Sequence, residues 1–78
     1  MDRSAQLQRL LRLVKLEAKL MAHPPWNERT DDEWDILYGI IIVTAGVMEQ
    51  VRNDLDRDFN NFYANVLVPE LEQYRKSL

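Results

Sequence analysis

Apolar residues recur at helical spacing along the first part of the chain. Five of them follow one another at alternating intervals of four and three residues: Leu7, Leu11, Val14, Ala18 and Met21. These intervals are the spacing of one face of an α-helix. Because no glycine or proline interrupts the segment, we predict a first helix from Ser4 to Ala22, with Ser4 as its N-cap.

The second segment begins with a helix-start signal and is then apolar on nearly every side. Thr30 and Glu33 have the S/T-x-x-E spacing of a capping box. We therefore predict a helix from Thr30 to at least Val51, although Ile36 to Thr44 alone would be typical of a buried strand. A helix that is apolar around most of its circumference has to be covered from several directions. A chain of 78 residues has few other residues with which to cover this helix, so we expect a partner.

The linker between the two helices and the segment after the second helix set the remaining boundaries. Pro24 and Pro25 break the first helix, and the linker is short enough to make the two helices that it joins antiparallel.

Beyond the second helix, two interpretations stay open. Weak helix formers crowd residues 53–58, which favours a turn and a third helix. Apolar residues nevertheless keep one helical phase as far as residue 66, which favours a continuous helix to about Leu67.

We favour the three-helix arrangement, because helices much longer than 25 residues are uncommon outside coiled coils. Pro69 is then expected to stop or kink the last helix, and residues 70–78 to form a short helical tail. The chain is expected to form a single all-α domain over residues 1–78: a small antiparallel helical bundle, completed by dimerisation. The predicted oligomer or partner interface is formed by Trp34, Leu37, Gly39, Ile41, Gly46, Met48, Leu55, Phe59 and Phe62.

Composition and charge narrow the class of protein. The chain has no cysteine, so disulfides and thiolate–metal sites do not stabilise it. A net charge of −3 disfavours nonspecific binding of nucleic acid by the whole chain. The longest nearly continuous apolar segment, residues 36–48, is shorter than the roughly 20 residues needed to cross a bilayer. We therefore expect a cytoplasmic protein without a membrane segment.

No motif for catalysis or metal binding stands out. Asp54, Asp56 and Asp58 imitate the start of a calcium-binding loop, but Phe59 stands where such a loop needs glycine and Asn65 where it needs glutamate. A solvated acidic turn is therefore the favoured interpretation. The single histidine, His23, has no nucleophile in a catalytic pattern with it. We expect neither enzyme activity nor a cofactor.

Three residues of the predicted helices conflict with their surroundings. Gly39 and Gly46 lie seven residues apart on one strip of the second helix, with Ile42 between them. Each lowers helix propensity by about 1 kcal/mol relative to alanine. They either form a seam against another helix, which we favour, or face solvent. Glu17 falls within the apolar face of the first helix, either at an open edge or paired with Arg52 or Arg57 within the chain or across a dimer.

Charge is distributed unevenly between the two helices. Residues 1–22 contain five basic and two acidic residues, whereas residues 30–58 contain eight acidic and two basic residues. The favoured interpretation is mutual attraction of the two segments in a helical hairpin. The alternative is that the basic face contacts phosphates of a nucleic acid. Its candidate residues are Arg9, Arg12, Lys15 and Lys19. The acidic segment is also able to meet a basic surface on another protein.

In size, acidity and lack of cysteine and catalytic motifs, the chain resembles the accessory proteins of phages and plasmids, although no shared motif carries this likeness. The function expected from the sequence is that of a small non-enzymatic helical protein that binds another protein as a regulator, inhibitor or adaptor, as a homodimer. The alternative is a nucleic-acid-associated regulator that uses the basic face of the first helix.

Overall fold

Helices account for nearly all of the structure. The computed structural model describes residues 3–78, and 92% of these residues are helical while none forms a strand. The prediction of an all-α protein is therefore confirmed. The elements are α1 (Arg3–Ala22), a 3-10 turn (Trp26–Glu28), α2 (Asp31–Leu55), a 3-10 turn (Asp56–Asp58), α3 (Phe59–Phe62), a π-helical turn (Tyr63–Leu67) and α4 (Val68–Ser77). Because α1 already includes Arg3, Ser4 lies inside the helix and is not its N-cap.

The linker folds α2 back along α1. The Arg29 guanidinium donates hydrogen bonds to the carbonyls of Met21 and Pro24, the latter at 3.2 Å. The Met21 carbonyl is one of those that the end of α1 leaves without a helical partner. At the opposite end of the hairpin, the Arg3 guanidinium lies 3.9 Å from the Asp58 carboxylate. Since the start of α1 lies near the end of α2, the two helices are antiparallel.

The hydrophobic core lies between α1 and α2. Leu10, Leu11 and Val14 of α1 pack with Val47, Val51 and Leu55 of α2 and with Leu67 of the π-helical turn. Leu10 and Val51 have exposed fractions of 0% and 1%. Each of these two helices therefore has one side facing the core, and its opposite side faces away from the hairpin.

α2 begins and ends where its local sequence dictates. The Thr30 and Glu33 side chains form the predicted capping box at its start. At its end Asp56 has φ 47°, a backbone conformation that breaks the helical path. A straight helix over residues 31–77 would be about 70 Å long, whereas the longest extent of the molecule is 41 Å. The chain therefore reverses direction within the segment 53–58, where the weak helix formers are crowded.

The C-terminal segment runs alongside α1. Its π-helical turn ends two residues before Pro69, and the Val68 amide donates to the Tyr63 carbonyl, five residues back. Proline has no amide hydrogen to donate to the residue four back, and wider turns of this kind are a recurrent way of interrupting the helical ladder. Pro69 thus lies at the start of α4 and does not end a helix. The Lys15 ammonium lies 3.0 Å from the Glu70 carboxylate and joins α1 to α4.

Candidate interaction surface

The side of α2 that faces away from the core is apolar and exposed. We call it the outer face of α2, defined by Tyr38, Gly39, Ile42, Ala45 and Gly46. Ile42 is 72% exposed and Tyr38 is 56% exposed. Exposed Ile36 and Val43 continue the apolar surface along one edge of the helix. Large exposed apolar side chains that form one patch are typical of an interaction site, whereas single ones are ordinary.

The two glycines leave a gap on this face. A Cβ atom built on Gly39 or Gly46 meets no atom within 4 Å. No other helix of residues 3–78 therefore packs against them, so these residues form no seam within the chain, and both glycines face solvent. Nothing in the chain's own packing offsets the roughly 1 kcal/mol by which each glycine lowers helix propensity.

Acidic residues border the outer face of α2 at both ends. Asp31 and Asp35 lie at the N-terminal end, and Glu49 lies at the C-terminal end, all exposed. Among residues 3–78 the only ion pairs are those of Arg3 with Asp58 and Lys15 with Glu70. The border of the patch is thus negatively charged without intramolecular compensation at contact distance.

An aromatic cluster adjoins the N-terminal end of this face. The ring of Tyr38 stacks on that of Trp34 at 5.8 Å, and Trp26 meets Trp34 edge-on at 6.0 Å. The Arg29 guanidinium lies 4.9 Å from the centre of the Trp34 ring, within the range of a cation–π interaction. Trp26 is 76% exposed. Exposed tryptophan and tyrosine are the residue types that contribute most to protein–protein binding.

The predicted interface residues divide between the core and the surface. Leu37 and Leu55 are only 4% and 7% exposed, so both are unavailable to a partner of the folded chain. Met48, Phe59 and Phe62 are half-buried and pack against the same core, and Trp34 and Ile41 are also half-buried. Of the nine, only Gly39 and Gly46 lie on the outer face. The burial of these residues has a simple cause, because Leu37, Met48 and Leu55 share the helical phase that α1 covers.

The predicted interface leaves out several apolar residues that the folded chain exposes. Ile36, Tyr38, Ile42 and Val43 are all more than two-fifths exposed, yet none was among the predicted interface residues. Their signal in the sequence was the glycine strip, because Ile42 lies midway along it. A groove of about 510 Å³ adjoins the same face, and Ala45, Glu49 and Tyr63 are among its lining residues.

The basic residues of α1 point away from α2. Arg9, Arg12 and Lys19 are exposed, and none of them forms an ion pair within residues 3–78. Lys15 pairs with Glu70 of α4. Arg9, Arg12 and Lys19 therefore make no ion pair with the acidic residues of α2 at contact distance, because the apolar side of α1 faces α2. Within residues 3–78, Arg3 with Asp58 is the one ion pair between the two segments.

The remaining candidate residues do not assemble into a reactive site. Glu17 is half-buried beside a cleft that Arg75 also lines, and it forms no ion pair with Arg52 or Arg57 of its own chain. No group of three metal-ligating side chains comes together within residues 3–78. Asp54, Asp56 and Asp58 are exposed, as is His23, which precedes a cis peptide bond to Pro24.

Comparison with protein-family models, with curated proteins and with solved structures finds no match to this chain.

The hydropathy of the second half of the chain is also high over part of its length. Within residues 31–77, an 18-residue window has a mean hydropathy of 1.3 and no more than two charged residues. By length and composition this window meets the requirement for crossing a membrane, as do the core helices of many soluble proteins. Only 22% of it is buried.

Proposed function

We propose that this protein is a small non-enzymatic interaction protein that acts as a regulator, inhibitor or adaptor by binding protein partners through the outer face of α2. The observation that carries the proposal is the 72% exposure of Ile42 at the centre of this face. Burying an isoleucine side chain contributes about 1.5–3 kcal/mol, and a single chain leaves that contribution unused.

Self-association as a homodimer is part of the same proposal. The gaps at Gly39 and Gly46 allow another helix to approach closely beside Ile42. The exposed Trp26 and Tyr38 add large aromatic surfaces next to this position. Small helical proteins without disulfides often complete their cores by oligomerisation, and the two helices of the hairpin leave this side of α2 uncovered. The bundle predicted from the sequence would then be completed by a second chain.

The test is the oligomeric state of an Ile42→Glu variant measured by analytical ultracentrifugation. We expect the wild-type protein to self-associate at micromolar concentration, with a dimer as its smallest associated species, and Ile42→Glu to sediment as the 9.3 kDa chain. Since Ile42 is exposed, the variant should keep the helical circular dichroism spectrum of the wild-type protein. Val66→Glu is the matched control, because Val66 is an exposed apolar residue outside the outer face. A wild-type protein that is monomeric at all concentrations would refute self-association.

Affinity purification from the native host, followed by mass spectrometry, tests for a partner other than a second copy. Wild-type protein and Ile42→Glu serve as the two baits. A partner of the outer face should be recovered with the first and lost with the second, while Val66→Glu should retain it. A partner recovered equally with all three baits binds elsewhere on the protein.

One observation favours a second candidate function. Arg9, Arg12 and Lys19 form an exposed basic surface without ion pairs in the described part of the chain, and such a surface is able to contact nucleic-acid phosphates. The net charge of −3 opposes this function. The two candidate functions are distinguished by measuring how strongly the protein binds duplex and single-stranded nucleic acid over a range of salt concentrations.

A further inference from the structure

The outward side of α1 is positively charged. We call it the outer face of α1, defined by Arg9, Arg12, Leu16 and Lys19. All four residues are exposed, and Leu16, at 40%, is its large apolar side chain. Within residues 3–22 the only acidic residue is Glu17, which lies half-buried beside the cleft next to Val14 and therefore away from this face. The outer face of α1 thus carries charge of one sign.

Two carboxylates flank Ile42 on the outer face of α2, and the exposed Arg52 lies beside the second of them, Glu49, on the groove that Ala45 also lines. Asp35 precedes Ile42 by seven residues, and Glu49 follows it by seven. Seven residues are nearly two helical turns, so the two carboxylates lie on the same side of the helix as Ile42. Each is about 10 Å from it along the helix axis, one in either direction. Within one chain the two outer faces have no means of meeting, because the core side of each helix is packed against the other.

A symmetric pairing of two α2 helices would place like charges together. If Ile42 packs against Ile42 of the partner in antiparallel helices, each Asp35 faces a Glu49. In parallel helices, Asp35 faces Asp35 and Glu49 faces Glu49. Like charges placed opposite each other in an interface disfavour association. The outer face of α2 therefore fits a helix that presents an apolar residue flanked by cations.

We infer that a second copy of this chain covers the outer face of α2 with the outer face of its own α1. The inference rests on the proposed function and names the surface with which the second copy binds. Arg9 lies seven residues from Leu16, the same separation that Asp35 and Glu49 have from Ile42. When Leu16 lies over Ile42, Arg9 faces a carboxylate in either helix direction.

When Leu16 lies over Ile42, Lys19 also comes closer to a carboxylate of the outer face of α2. Lys19 follows Leu16 by three residues, so its Cα lies about 4.5 Å from that of Leu16 along the helix axis, on the side of the second carboxylate. The gaps at Gly39 and Gly46 leave room for Leu16 beside the α2 backbone. Charge complementarity of this kind increases the rate and specificity of association.

This contact joins two different surfaces, so it is heterologous. In a pair of chains, one outer face of α1 and one outer face of α2 remain free. Further copies are then able to add through the same contact at higher concentration. A symmetric α2–α2 dimer, by contrast, buries the outer face of α2 of both chains, so no further chain is able to bind there.

The experiment uses two variants that each remove one surface. Arg9→Glu/Arg12→Glu reverses the charge of the outer face of α1, and Ile42→Glu disrupts the outer face of α2. Arg75→Glu/Lys76→Glu makes the same change in charge on exposed residues of α4 and serves as the control. Sedimentation velocity is measured for each protein alone and for equimolar mixtures, and circular dichroism confirms that each variant is folded.

We expect each variant alone to weaken self-association by more than about tenfold, while the control behaves as the wild-type protein does. The mixture of the two variants should form a complex of two chains and nothing larger. In that complex, the intact α2 face of Arg9→Glu/Arg12→Glu binds the intact α1 face of Ile42→Glu. Wild-type association should weaken with increasing salt, because the facing charges are screened.

If Arg9→Glu/Arg12→Glu associates as the wild-type protein does, the inference is overturned while self-association through α2 stands. A mixture that forms no complex also overturns it. A wild-type protein that stays monomeric overturns both the inference and the proposed dimer. If that monomer instead sediments with phosphatidylcholine vesicles, and Ile42→Glu does not, a lipid surface covers the outer face of α2.

Discussion

Thr30 and Glu33 exchange hydrogen bonds at the start of α2. The Glu33 amide donates to the Thr30 side-chain oxygen at 3.3 Å, and the Thr30 amide donates to the Glu33 carboxylate at 3.3 Å. The Thr30 hydroxyl also donates to the same carboxylate at 3.0 Å. Two backbone amides at the helix start thereby gain partners. This arrangement fixes the residue at which the chain leaves the linker and begins α2.

Removing either side chain of this pair should destabilise the protein. We expect Thr30→Ala to lower the free energy of unfolding by about 1 kcal/mol, and Glu33→Ala by somewhat less. In the double variant the two losses should not add, because both residues support the same helix end. Urea unfolding of the four proteins in a double-mutant cycle measures this. Fully additive losses would show that the two residues act independently.

The buried Thr44 hydroxyl should lower the free energy of unfolding of the protein. Thr44 is 5% exposed, and its hydroxyl oxygen has no hydrogen-bond partner. A buried polar group without a partner costs about 1–3 kcal/mol. Thr44→Val, which keeps the shape of the side chain, should therefore raise the free energy of unfolding by about 1 kcal/mol. Thr44→Ser keeps the hydroxyl and removes the methyl group, so it should be less stable than the wild-type protein.

Replacing the outer-face glycines should affect folding and association in opposite directions. Because open space surrounds both positions, Gly39→Ala and Gly46→Ala should each stabilise the folded chain by about 1 kcal/mol through helix propensity. The added methyl groups should weaken self-association by filling the gaps beside Ile42. Urea unfolding and ultracentrifugation measure the two effects separately. Ala45→Gly, on the same face, is the reverse control and should destabilise the chain.

Two leucines of α1 provide a matched test of which side is the core. Leu10 is 0% exposed, whereas Leu16 is 40% exposed. Leu10→Ala should lower the free energy of unfolding by about 2–5 kcal/mol, because it leaves a cavity between α1 and α2. Leu16→Ala should change it by no more than about 0.5 kcal/mol at concentrations where the chain is monomeric. Equal losses would contradict the assignment of the core.

Nucleic-acid binding should not occur at physiological salt, because the net charge of the chain is −3. We expect the variant Arg12→Gln/Lys15→Gln/Lys19→Gln to lose only a few tenths of a kcal/mol of stability, through the half-exposed Lys15–Glu70 pair. Fluorescence anisotropy with labelled duplex and single-stranded probes, over a range of salt concentrations, provides the measurement. Salt-sensitive submicromolar binding that the triple variant abolishes would establish the alternative function.

Local signals in the sequence determined where the helices begin and end. The capping box located the start of α2 at Thr30, and the pair Pro24–Pro25 located the end of α1. The weak helix formers of residues 53–58 favoured a turn over a continuous helix, and the structure has the reversal at Asp56. Ser4 and Pro69 were the exceptions among these signals, since α1 already includes Arg3 and Pro69 lies at the start of α4. The missing amide hydrogen of Pro69 is a local property, but the π-helical turn that accommodates it spans the preceding residues 63–67.

Only the tertiary structure decided which side of α2 is the core and which is the surface. Leu37 and Ile42 are both large apolar residues of one helix, and no polar side separates them in a segment that is apolar all round. Packing of α1 buried the side of Leu37 and left Ile42 exposed. The same packing turned the basic residues of α1 away from α2 and left Lys15 beside Glu70. Helix limits depend on neighbours along the chain, whereas burial and ion pairing depend on contacts between residues far apart in sequence.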